Sequence, residues 1–223
     1  MSTAEPAESE NPLLDRVRRE LREMLRSGEI MPGDRLNELH LAQRLDVGRN
    51  VAREALRGLE YTGLIKIVPN KGAEIRKLSM EEALNLYDLR AGLARTAGRS
   101  SAHRATRDEI NMLAAMQDEL AEVVKSGDAL VYNQINIRFH SFIFEIARNP
   151  RLQLMNAAVD DELSLFLTNT HYTPNAFGRS WLEHQKIVDS IRDGNPDESA
   201  NAFEQHILEG KKRLVEGQVT IRF

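Results

Sequence analysis

Between Asn37 and Ile75 the chain changes its hydrophobic period twice, and that change limits the possible folds more than any other feature. Asn37 is placed to cap a short helix over Glu38 to Leu45, with apolar positions Leu39, Leu41, Ala42 and Leu45. Asp46-Val47-Gly48 interrupts the pattern. A second helix then runs from about Arg49 to Tyr61, burying Val51 or Ala52, Ala55, Leu56 and Leu59, and ends at Thr62-Gly63. From Leu64 to Leu78 the period falls to two: Ile65, Ile67, Ala73 and Ile75 alternate with polar residues around a Pro69-Asn70-Lys71-Gly72 turn. Two short helices with a three-residue break outline a helix-turn-helix, and a hairpin directly after them makes it a winged one.

On either side the pattern is helical. Leu13, Leu14, Val17, Leu21 and Leu25 define a first helix that Gly28 ends. From Ser79 onward only five breaks occur, near Thr106, Gly127, Asn149-Pro150, Tyr172-Thr173-Pro174 and Gly194-Asn195-Pro196. They leave six helices, which short connections fold into an antiparallel bundle. The expected fold is mainly α, with an N-terminal winged helix-turn-helix over residues 12–78 and a C-terminal antiparallel six-helix bundle over 79–223. Residues 1–11 read as a disordered tail.

Composition removes several function classes. There is no cysteine, hence neither a disulfide framework nor a thiolate metal site. No apolar run approaches the roughly 18 residues of a membrane span, and the start has no basic and apolar leader. A cytoplasmic protein with no membrane partner is expected. The net charge of −4 is unevenly spread: residues 11–78 hold 14 Lys/Arg against 10 Asp/Glu, and residues 79–223 hold 16 against 21. A mildly basic segment is thus joined to an acidic one.

The second short helix carries Arg49, Asn50, Arg53 and Arg57 along one side. Arginine pairs bidentately with guanine and asparagine with adenine, so this face suits direct readout of a major groove. Arg35 and the wing's Lys71 are placed for phosphates. The plain alternative is a solvated basic face. The segment resembles the GntR family of bacterial regulators through Gly28-Glu29-Ile30-Met31-Pro32-Gly33-Asp34-Arg35-Leu36, Glu38, Leu41-Ala42, Val47-Gly48-Arg49, Arg53-Glu54-Ala55-Leu56, Leu59-Glu60, Gly63-Leu64 and Gly72. The resemblance implies DNA contacts from Arg35, Arg49, Arg53 and Gly72. Gly48 stands where that family usually has serine, which removes a helix cap, and Val51-Ala52 replaces its usual Pro-Val.

In the second half, Asn136 and His140 lie one helical turn apart beside Ile143 and Ala147. His184 sits among Trp181, Ile187, Val188 and Ile191, and His206 follows Phe203 by three positions. All three histidines are expected to point inward. Taken singly, each reads as a hydrogen-bonded core histidine; together they suit a Zn²⁺ or Ni²⁺ ion. The stretch Asn136-x-x-Phe139-His140, with Asn149-Pro150-x-Leu152, His184 and His206, is similar to the FadR-like subfamily of GntR regulators, in its shorter VanR-type branch. That resemblance implies a divalent metal held by His140, His184 and His206, with Asn136 in place of the usual aspartate, and a small carboxylate effector. It also puts Arg90 at the pocket as a carboxylate clamp, against the alternative of a surface pair with Asp88 or Glu82. His103 and His171 read as surface residues, and Met112 and Met116 as core filler.

The function these readings imply is a DNA-binding transcription repressor, a homodimer on a palindromic operator, answering to a small organic acid. Two rivals stand beside it. A metalloenzyme would need a general base such as Glu145 or Glu204, and a winged helix can also serve as a protein-interaction module.

Overall fold

A computed structural model describes residues 12–68, 72–167 and 174–220. The chain forms two compact units. The first opens with α1 (Pro12–Arg26), followed by β1 (Arg35–Leu36), α2 (Glu38–Arg44), α3 (Arg49–Tyr61), β2 (Ile65–Val68) and β3 (Gly72–Ile75). Asn37 caps α2, its side chain accepting from the backbone N–H groups of Leu39 and His40. Ala52, Ala55, Leu56 and Leu59 of α3 pack inward with Val17, Leu21 and Leu25 of α1, all essentially without solvent contact. The amphipathic spacing of each helix therefore places its apolar stripe in one shared core.

The hairpin pairs Ile65 with Ile75 and Val68 with Gly72. Sequence periodicity missed β1, which is only two residues long. It joins β3 through Arg35 opposite Glu74 and Leu36 opposite Ala73, giving a three-stranded sheet in the order β1-β3-β2. Gly72 has φ +85°, and a Cβ there would lie 3.2 Å from the Leu36 carbonyl oxygen, so both backbone conformation and the neighbouring strand favour glycine. Ile67, expected on the buried face, is 40% exposed.

The second unit is built from six helices: α4 (Met80–Arg104), α5 (Arg107–Ser126), α6 (Ala129–Ile146), α7 (Pro150–Leu167), α8 (Pro174–Arg192) and α9 (Pro196–Thr220). The final turns of α7, from Asp160, belong instead to the first unit. There Asp161 pairs with Arg22, and Glu162 lies 3.1 Å from Arg76. Thr106 and Glu109 form a reciprocal capping box at the start of α5, and Gly127 closes that helix in the left-handed conformation. Phe139, Ile143, Ile187, Val188 and Phe203 form the fully buried centre. Met116 joins the core as expected, whereas Met112 is 49% exposed: the two are four residues apart, and Met112 falls at the edge of the apolar stripe.

Helices α4 and α9 approach closely at Gly98. A Cβ on that residue would sit 2.5 Å from the Ser199 carbonyl oxygen, and the Ser199 hydroxyl donates to the Gly98 carbonyl at 2.9 Å. Backbone cannot yield as a flexible side chain can. Gly98→Ala is therefore expected to cost about 1–3 kcal/mol of stability, read as a lower denaturant midpoint at unchanged slope.

Candidate functional site

The sequence-predicted DNA residues lie together on the first unit. Arg49, Asn50, Arg53 and Arg57 are all exposed along α3, and Arg35 is exposed on β1. Lys71 lies outside the described residues. Helix α3 begins at Gly48 without a side-chain cap. Its first-turn N–H groups are left to water or to a phosphate. Arg53 is not isolated: its Nε and Nη2 donate to Glu38 of α2 at 3.0–3.3 Å. Sequence reading placed Glu38 in the motif without giving it this partner.

In the second unit, α6, α8 and α9 bring His140, His184 and His206 to one point. Their Nε2 atoms form a triangle with edges of 2.9 Å (His140 to His206), 3.2 Å (His140 to His184) and 3.2 Å (His184 to His206). A tetrahedral ion with metal–nitrogen distances of about 2.0–2.1 Å needs ligand nitrogens roughly 3.3 Å apart, so the triangle is close to that size. All three rings are buried, at 3%, 0% and 5% exposure. Phe139 packs 4.5 Å from the His184 ring and Phe203 5.5 Å from His140. These aromatic neighbours pack against the imidazoles on one side.

Burial pushes His140 and His184 well below the ordinary histidine range, and the neighbouring histidines and Arg213 add to the effect. Burial also lowers His206, against the opposing pull of its hydrogen bond to Glu183. Three neutral imidazoles result, the form that binds metal.

Two further residues complete the arrangement. Glu183 Oε2 lies 2.8 Å from His206 Nδ1, and Arg213, itself 7% exposed, donates to both Glu183 oxygens at 2.7 and 2.9 Å. Burial is the largest single influence on Glu183 and raises it, but the hydrogen bonds from His206 and Arg213 together hold it below the usual carboxylate range. Sequence reasoning missed both residues. Glu183 precedes His184 and so points roughly 100° away from it on α8, and only the packing of α9 gives it a partner.

Asn136 lies one turn before His140, and its Oδ1 is buried without a hydrogen-bond partner among the described residues. A buried orphan acceptor fits a missing cation or donor. Arg90 of α4 reaches the cluster, its Nη2 3.3 Å from His140 Nδ1. Of the two carboxylates weighed as its alternative partners, Asp88 accepts from Lys211. His103 is exposed, as expected, and His171 falls outside the described residues. Of the two carboxylates considered as general bases, Glu204 is paired with Arg95 at 2.6 Å and Glu145 is exposed on α6.

A winged helix with an arginine-lined helix, followed in the chain by a separate helical domain, is the architecture of a DNA-binding regulator. The chain belongs to the GntR family of bacterial regulatory proteins, matched over residues 13–75, and carries an FCD domain over residues 85–209. It is a transcriptional regulator, not an enzyme. It is 28% identical over 191 residues to YdhC, an HTH-type transcriptional regulator of Bacillus subtilis, a match covering 85% of this chain and 83% of that one. It is 26% identical over 218 residues to the HTH-type transcriptional repressor NanR of Escherichia coli K12, covering 87% and 81%. The fold is similar to that of E. coli McbR/YncC, with a TM-score of 0.80 at 17% identity over 92% of this chain and 98% of that one. Among the described residues no helix is long and apolar enough to cross a membrane.

Proposed function

We propose that this protein is a cytoplasmic, sequence-specific transcription repressor that binds a palindromic operator as a homodimer. Its operator affinity is set by a small carboxylate held at a divalent metal in the FCD domain. The observation that carries the sensing part is the convergence of three buried, neutral imidazole Nε2 atoms beside the orphaned Asn136 oxygen. Repression is supported by similarity to NanR, which bears that description. A dimer supports specificity because two recognition helices double the few base contacts that one subunit makes.

His140, His184 and His206 would hold the ion with Asn136 as a neutral fourth ligand, and three imidazoles favour Zn²⁺ or Ni²⁺. When bound, the ion supplies a positive centre that draws an anionic oxygen. The rest belongs to the chain. Glu183 accepts the Nδ1 proton of His206, which leaves the Nε2 lone pair facing the centre, and Arg213 keeps Glu183 in place. His140 is in a different position, because Arg90 can only donate and so meets an Nδ1 that must accept. His140 presents its own Nε2 lone pair only when Nδ1 carries the proton, and in that tautomer it no longer accepts from Arg90. Arg90 stands beside the centre, where its guanidinium can clamp a carboxylate bidentately. A ligand bound more tightly in one of two states shifts the balance between them, and operator affinity changes with it.

The test is metal content of tag-free protein, with melting temperature measured before and after Zn²⁺ or Ni²⁺ and a panel of small carboxylates. Near-stoichiometric metal and carboxylate stabilisation that requires it are the expected results. A well-folded protein that takes up neither ion would remove the metal from this reading and leave DNA binding standing. Arg90→Gln is expected to abolish carboxylate stabilisation while binding the ion at least as tightly as wild type, since it removes a competing donor and a positive charge.

A further inference from the structure

Glu38 projects from the first turn of α2, whose backbone Asn37 fixes by accepting two N–H groups. Its carboxylate engages one edge of the Arg53 guanidinium: Nε lies 3.3 and 3.1 Å from the two oxygens, and Nη2 lies 3.0 Å from Oε2. Guanidinium has five N–H groups, and this contact occupies Nε and one hydrogen of Nη2. Both hydrogens of Nη1 and the second of Nη2 remain. One hydrogen of Nη1 and the remaining one of Nη2 form the end-on edge, the one that pairs with O6 and N7 of guanine. An exposed ion pair contributes little to folding stability. What this one does contribute is orientation, since an arginine held flat along one edge has already given up much of the rotamer freedom that base recognition would otherwise cost.

We infer that Glu38 is a positioning residue for sequence readout: it holds Arg53 so that the outer edge of the guanidinium meets a base. The inference rests on the reading of α3 as the recognition helix. It makes an acidic residue on a DNA-facing surface necessary for specific binding, the opposite of what charge alone predicts. Removing a carboxylate near phosphates should strengthen binding to any duplex.

The experiment uses the full-length protein and two duplexes of equal length: one selected by the wild type from a random-sequence pool, and one of unrelated sequence. Glu38→Gln, nearly isosteric, is measured beside Glu38→Ala, Arg53→Ala and the Glu38→Gln/Arg53→Ala double variant, each with a melting curve. Glu38→Gln is expected to bind the selected duplex roughly 5- to 150-fold more weakly. It should bind the unrelated duplex at least as well as wild type, and lose base preference at the same position as Arg53→Ala. On the Arg53→Ala background it should add nothing. Stronger binding to both duplexes with base preference kept would overturn the inference, reducing Glu38 to a phosphate-repelling charge. Equal weakening on both duplexes with a lowered melting temperature would also overturn it, assigning Glu38 to stability. If Arg53→Ala itself leaves base preference intact, the recognition role of Arg53 fails and the inference fails with it. If Arg53→Ala loses preference and Glu38→Gln keeps it, only the inference fails.

Discussion

Alanine at His184 is expected to leave the protein with almost no bound metal, a larger loss than the roughly 10- to 100-fold that removal of an outer partner such as Glu183 costs. His184 supplies one corner of a triangle no wider than 3.2 Å, and its ring is fully buried against Phe139. Among the described residues no other histidine, cysteine or carboxylate cluster could take the ion over. Metal content of the variant beside wild type, with folding checked by far-UV circular dichroism, gives the answer directly. Retained stoichiometric metal would mean the ion binds elsewhere.

The same residue makes metal-free protein sensitive to acid. Burial lowers all three histidines below their ordinary value, so the unfolded chain takes up protons that the fold refuses. Stability from this source is full above about pH 6.5, the ordinary histidine value, and is lost as pH falls from there toward the lowered folded values. Within that window each histidine adds a slope of about 1.4 kcal/mol per pH unit. Chelator-treated wild type should therefore lose stability steeply below pH 6.5, and His184→Ala less steeply by about one histidine's share. Parallel curves for the two proteins would contradict neutral burial of His184.

The second large effect is on DNA. The Arg49→Ala/Arg53→Ala variant is expected to lose binding to its selected duplex by at least about 10³-fold. A dimer loses four base contacts, and even at roughly 1 kcal/mol each, the low end for arginine on guanine, these total about 4 kcal/mol. Both side chains are exposed, so melting temperature should scarcely change. Arg53 gives up only a surface pair with Glu38, worth no more than about 1 kcal/mol to the fold. Equal binding by variant and wild type would favour a winged helix that contacts protein rather than DNA.

Much of the first unit was legible in the sequence because its signals are local. Helix α3 runs over Arg49–Tyr61, as the periodicity implied, and Asn37 caps α2 as its position before an apolar-periodic stretch suggests. Gly127 and the Asn149-Pro150 and Gly194-Asn195-Pro196 breaks mark helix ends for the same reason: glycine and proline act on the residues beside them. The two-residue β1 carries too few residues to show a period, and its existence depends on β3 lying alongside.

For the candidate site the division is sharper. Inward-facing histidines follow from their apolar neighbours at helical spacing, a property of each helix alone. That three Nε2 atoms meet, that Glu183 and Arg213 stand behind His206, and that Arg90 reaches His140 are relations between residues 22 to 66 positions apart. Sequence by itself determined the helices, the hairpin, most of their buried faces and the residue types available for chemistry, because a helix or a strand of several residues repeats its period along the chain. Tertiary structure alone decided which side chains meet, because distance between elements is set by how their apolar faces pack, and no single element's period contains it.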